Sequence, residues 1–490
     1  MRKSVLYVPS LISVLVVVLA GALRAGDNAD VAALEPGEAY PGGNATTQKS
    51  SSHRDVFSQP SRGIGFEGEL NFKIGNALFR KFWVASPAST KSSDGLGPLY
   101  NSRSCQTCHL KDGRGHPPNA NWPDDNAVSM LMRLSISPQS EADELRLLQR
   151  RTNVIPEPTY GGQLQDLATP GQPIEGRIHV TYTERMVTLG DGTLVSLRQP
   201  TYRVTDLGFG PLHPDTMLSA RVAPQMIGLG LLEAIREADI RANADPDDAD
   251  GDGISGRTSE VWSREADGIA LGRFGWKAGN PTVRQQTADA FSGDMGLSTS
   301  LFPKNAGDCT DAQTNCLKAP HGNDTVEGTP EVTDDMLRLV TFYAQNLAVP
   351  ARRNLGSPEV SRGKSLFAEA GCANCHTPSF VTGQVDGQRH LSHQRIWPYT
   401  DLLLHDMGEG LADNRPDGVA SGREWRTPPL WGIGLTQVVN GHTNFLHDGR
   451  ARSIEEAILW HGGEAEKARD AYATMSKTER DALIAFVNSL

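Results

Sequence analysis

Two stretches of the 490-residue chain share one arrangement. SCQTCHL (104–110) and GCANCHT (371–377) each place two cysteines two residues apart, with a histidine directly after the second. Three chemistries use such cysteines. A redox dithiol needs only the pair and leaves the histidine idle. A four-cysteine zinc site could be assembled from both pairs, again with His109 and His376 surplus. Covalent haem uses every residue: the thiols add to the haem vinyl groups, and the next imidazole reaches the iron from the proximal side. The repetition of all three residues points to two covalently bound haems c. Cys105, Cys108, Cys372 and Cys375 would hold them, and His109 and His376 would ligate the irons. The other two of the six cysteines, Cys309 and Cys316, bracket the polar loop CTDAQTNC and are expected to form a local disulfide in an oxidising compartment.

A repeated motif asks for repeated elements to position it. After the first motif come GRFGWKAGNP (272–281) and TDDMLRLVTFYAQNLAVP (333–350); after the second come FLHDGRARSIEEAI (445–458) and KTERDALIAFVNSL (477–490). The closing segments read as amphipathic helices, with Leu339, Phe342 and Leu347 matching Leu483, Phe486 and Leu490. Asp334, Asp335 and Glu479 stand near their starts, where negative charge suits the helix dipole. The expected fold is therefore mainly α, with two cytochrome c-like haem domains from an internal duplication. The first would span 61–350 and the second 351–490, with AVPARRNLGSPEV (348–360) as the linker. Between Tyr160 and Leu212 the pattern alternates around Asp191-Gly192, a hairpin signal, so a small β-rich insertion is expected at about 157–212.

The first 25 residues read as a secretory signal peptide: Arg2 and Lys3, then an apolar run, then small residues suited to cleavage. An uncleaved membrane anchor is the alternative reading. Either places the folded part outside the cytoplasm, in the periplasm. Residues 26–60 are polar and small, and are expected as a flexible leader. The formal charge of −11 becomes more negative once Arg2, Lys3 and Arg24 are removed. Such an acidic chain is a poor partner for nucleic acid and a good one for a basic protein.

Several longer strings carry a resemblance. FGWKAGNPTVRQQTADAFSGDMG after the first motif and WRTPPLWGIG with FLHDGRARSIEEA after the second resemble the bacterial di-haem cytochrome c peroxidase superfamily. YGGQLQD, DGDGISGR and LLLHDMG resemble its di-haem oxidoreductase branch, sometimes labelled thiol oxidoreductase. The resemblance covers roughly 60–490. It implies that Trp276 lies between the haems, although the family's Asp-Gly-Arg after that tryptophan is not kept. It implies that Gln286 is a polar aid and that Asp294 of GDMG stands where the family has a catalytic glutamate. An N-cap or turn role is the alternative for Asp294.

It also implies Met407 as the axial ligand opposite His376, with His405 as competitor. His116 is a candidate for a displaceable ligand, and His447 and His461 read as structural. The family's calcium-binding asparagine is replaced by Val222, which cannot serve. Asp248, Asp250 and Asp252 before Gly253 look like the opening of a different calcium loop, although Ser259 takes the place of its usual last acid. A solvated acidic turn is the other reading.

The function implied is a periplasmic di-haem c-type oxidoreductase. Electrons from a small donor, a c-type cytochrome or cupredoxin, would enter at His376 and Met407, pass Trp276 and reduce hydrogen peroxide at His109. The alternatives are a di-haem oxidase or oxygenase acting on a protein or organic substrate, and a plain electron-transfer cytochrome.

Overall fold

The computed structural model describes residues 34–47, 49, 52–322 and 329–490; the expected signal peptide lies outside them. The fold is not mainly α. Helix makes up 29% and strand 19%, and the named strands pair into seven two-stranded sheets among the described residues. Most strands are two to six residues long and are scattered through the loops. The longest pair, Arg177–Thr188 and Leu194–Thr205, forms the antiparallel hairpin expected around Asp191-Gly192, with Gly192 at φ 84°. Cys309 and Cys316 are disulfide-bonded.

Nor does the chain divide into two cytochrome c-like domains. Its two largest hydrophobic clusters each draw residues from both sides of position 350. One joins Met130, Leu134, Val180 and Trp276 to Phe367, Tyr399, Trp425 and Phe486. The hairpin is stitched to the C-terminal part by Arg480–Asp191 at 2.9 Å and Arg452–Glu184 at 3.2 Å. Lys277, 1% exposed, is held 2.8 Å from Asp413. Removing one partner of the buried Lys277–Asp413 pair costs about 3–5 kcal/mol, whereas the exposed Arg452–Glu184 pair contributes about 1 kcal/mol or less.

Over its described residues the expected flexible leader is corrected too; residues 26–33 lie outside them. Ala45, Val56 and Phe57 are buried, and Glu38 is 0% exposed. Its carboxylate receives Lys364 Nζ at 2.7 Å, the Tyr399 hydroxyl at 2.8 Å and the Arg352 guanidinium. Polarity suggested solvation there, but a charge with three partners can be buried.

What repeats is smaller than a domain. Helix Gly65–Phe79 packs on helix Asp334–Gln345, and helix Pro358–Glu369 packs on helix Lys477–Ser489. Both second helices begin with a side-chain cap, Thr333 and Ser476. A glycine makes each crossing close. A Cβ at Gly75 would collide with the Leu339 carbonyl and lie 2.7 Å from the Tyr343 Cβ; one at Gly363 would collide with the Ala482 carbonyl and lie 2.7 Å from the Phe486 Cβ. Tyr343, not Phe342, is thus the counterpart of Phe486. The Leu-x-x-Phe match in the sequence is out of register by one residue.

Candidate active site

Each crossing presents an aromatic ring to a CxxCH histidine. Phe79 lies 6.4 Å from the His109 ring and 5.2 Å from Tyr343; Phe367 lies 6.1 Å from the His376 ring and 5.2 Å from Phe486. The motifs themselves form single turns, Cys105–Cys108 and Cys372–Asn374. A cavity of about 900 Å³ is lined by both motifs.

The residues fit haem. Nδ1 of His109 lies 2.8 Å from the Pro224 carbonyl, and Nδ1 of His376 lies 2.9 Å from the Tyr399 carbonyl. A carbonyl acceptor assigns the proton to Nδ1 and leaves Nε2 with its lone pair, the presentation an iron ligand needs. Burial pushes both imidazoles down to about 4, so both are neutral at physiological pH. All four motif cysteines are free of disulfides. Among the described residues, the cysteine pairs do not converge on one point, which removes the four-cysteine zinc reading.

Asp294 lines the cavity one residue before the end of helix Val283–Met295. It is therefore neither an N-cap nor part of a free turn. Its backbone carbonyl accepts from the amides of Asn101 and Ser102 at 2.9 and 3.1 Å, tying it to the segment that leads into the first motif. Burial raises the thiols of both Cys105 and Cys108, and the charge of the nearby Asp294 carboxylate adds to it. Gln163 Nε2 donates to its Oδ1 at 2.9 Å. Burial raises the acid's own pKa, opposed by Arg133 and by the Gln163 bond. Gln286 lies two turns earlier on the same helix and also lines the cavity; its Oε1 accepts from Asn280 at 3.2 Å.

Trp276 is buried against the cavity, its indole N–H donating to the Val222 carbonyl at 2.9 Å. The Val222 amide in turn donates to the His447 carbonyl at 2.8 Å. The His447 ring stacks on Trp425 at 3.7 Å with a 13° tilt. Trp276, His447 and Trp425 thus form a linked group that lines the same cavity. Trp425 and Gln163 lie within WRTPPLWGIG and YGGQLQD, but only contact shows their use.

Met407 lines the cavity too. Its competitor His405 is fully engaged: Nε2 lies 2.8 Å from Asp401 and Nδ1 2.7 Å from Glu464. Burial disfavours charge on His405, yet the bonds to Asp401, Cys375 and Glu464 hold its pKa well above the usual range. A protonated imidazole cannot bind iron. His116 does not line the cavity; its Nδ1 lies 2.7 Å from the Pro117 carbonyl. Asp248, Asp250 and Asp252 can place one oxygen each within 4.8 Å of one another. Their carboxylates also accept backbone amides of the turn, Asp252 N, Gly253 N and Ile254 N.

With this geometry in place, the chain was compared with known proteins. No curated protein matches it. Among solved structures, a chain of hydrazine synthase from Kuenenia stuttgartiensis, pressurised with xenon, is similar at 15% identity and a TM-score of 0.28. That match covers 73% of this chain and 90% of the other. So low a score carries no argument about fold or function. The family model described as "Di-haem oxidoreductase, putative peroxidase" matches residues 38–490. Its limits begin at buried Glu38 and take in both CxxCH motifs. The chain belongs to the di-haem oxidoreductase family.

Proposed function

We propose that the protein is a periplasmic oxidoreductase with two covalent haems c that reduces hydrogen peroxide with electrons from a small redox protein. The observation that carries this reading is Asp294: an acid enclosed beside the first motif and bonded to neutral Gln163, its pKa raised by burial against the pull of Arg133. The reaction consumes two electrons and two protons per peroxide and yields two waters. Haem, when bound at His109, would supply the iron to which a peroxide oxygen binds. Asp294 would take a proton from one peroxide oxygen and return it to the other, which leaves as water. A raised pKa suits that exchange, since the group must both accept and release a proton near neutrality. Gln286 would orient the peroxide by hydrogen bonding. Trp276, with Trp425 and His447, would carry electrons between the two sites. The acidic surface would favour a basic c-type cytochrome or a cupredoxin as donor.

The test is peroxide consumption coupled to a reduced donor cytochrome, on half-reduced holoprotein. Asp294→Asn is expected to lower turnover by about 100-fold or more with haem content unchanged. Unchanged turnover in this variant would remove Asp294 from the chemistry. A wild-type protein that consumes no peroxide would point instead to an oxidase, an oxygenase or an electron carrier.

A further inference from the structure

The cavity holds one more histidine presented like the two motif histidines. His461 follows the short helix Ile454–Leu459, and its Nδ1 lies 2.7 Å from the Ala457 carbonyl. That is the arrangement of His109 on Pro224 and of His376 on Tyr399. The carbonyl assigns the proton to Nδ1, so the lone pair sits on Nε2. Nε2 of His461 has no hydrogen-bond partner among the described residues, although the side chain lines the cavity that both motifs line. It is close enough to His376 for the two imidazoles to feel each other's charge. The backbone that carries the ring is held as well. The His461 amide donates to the Ile458 carbonyl at 3.0 Å, Arg469 donates to the His461 carbonyl at 3.3 Å, and Trp460 beside it is 4% exposed.

His461 also shares its wall with Met407. A Cβ at Gly408 would lie 2.7 Å from the Gly463 amide, and one at Gly462 would lie 3.2 Å from the Met407 carbonyl. The chain just after His461 therefore rests on the chain at Met407, and both side chains line the same cavity. An imidazole with a fixed tautomer and an open Nε2 is better prepared for iron than a flexible thioether with no anchoring bond.

We propose that His461, not Met407, is the second axial ligand of the haem iron bound by His376. This rests on the reading that His376 carries haem. Two imidazoles would give that haem a lower potential than the histidine–methionine pair the sequence suggests.

The test uses the oxidised, fully loaded protein and reads ligation rather than activity. Near-infrared magnetic circular dichroism separates a bis-imidazole ferric haem from a histidine–methionine one. The expected result is a bis-imidazole band that survives Met407→Leu and is lost in His461→Ala, with free imidazole restoring it in the latter. If His461→Ala does not fold, the wild-type and Met407→Leu spectra decide alone. A methionine-type band that disappears in Met407→Leu would overturn the proposal while leaving haem at His376 in place. A protein whose covalent haem content does not fall in Cys372→Ala would sink the underlying reading itself, and this proposal with it.

Discussion

The two CxxCH regions are built alike on the proximal side and differently everywhere else. Each motif histidine is anchored to a backbone carbonyl and flanked by a phenylalanine from a glycine-crossed helix pair. Beyond that, the first region is acidic and amide-rich. Asp294 meets Gln163, and the Tyr343 hydroxyl donates to buried Asp112 at 2.7 Å. The second is apolar around Phe367 and Phe486, with its charges locked into the Asp401–His405–Glu464 triad. One frame for binding a group can thus be specialised by its second face alone. A buried acid bonded to a neutral amide invites proton exchange, whereas an imidazole clamped between two carboxylates only holds its neighbours in place.

The largest expected effect breaks the pair outright. Cys105→Ala and Cys372→Ala should each halve the covalent haem content, measured as the pyridine haemochrome. Only Cys105→Ala should abolish the spectral response to peroxide. If both variants lose that response, or both keep it, the division between the regions fails.

A smaller effect tests the likeness of the frames. Gly75→Ala and Gly363→Ala insert a methyl group where the opposing backbone leaves no room. Each should cost about 1–3 kcal/mol and lower the melting temperature, by similar amounts if the crossings are equivalent. A large loss at one and none at the other would show that only one crossing is tight.

The smallest effect concerns the acidity around the first region. Burial pushes the Glu175 carboxyl up to about 8, with Gln313 and the Gln165 amide bonded to it. The folded protein therefore keeps a proton that the unfolded chain releases above its ordinary value near 4.5. That contribution to stability is fully present below about pH 4.5 and is lost as pH rises towards 8. The melting temperature should fall across this window, and Glu175→Gln should flatten the fall. An unchanged slope would mean that Glu175 is ionised in the folded protein.

The motifs were legible because each is a contiguous set of residues. The Asp191-Gly192 hairpin was legible because its turn is local. Element length explains the misread fold class: amphipathic helices of 12 and 13 residues show a period, whereas strands of two or three residues show none. Register was missed because it is set by Gly75 and Gly363, which lie far in sequence from the helices they admit. The joining of the two halves escaped notice for a similar reason. Lys277 reads as a surface lysine until Asp413 is beside it, and residues 38–60 read as a polar leader until the partners of Glu38 are known. For the site, Asp294, Gln286, Trp276 and Met407 all do reach the cavity, but nothing in the sequence spoke for the anchoring carbonyls of Pro224, Tyr399 and Ala457.

The burial of Glu38 has a consequence for the order of events during synthesis. Its carboxylate cannot leave water before Arg352, Lys364 and Tyr399 exist, and the last of these is made more than 350 residues later. Ala45, Val56 and Phe57 wait with it, because their cluster includes Trp431 and Val439. The N-terminal stretch is thus among the last parts to settle, a slow closure across most of the chain. Until it settles, the cluster it joins stays unfinished.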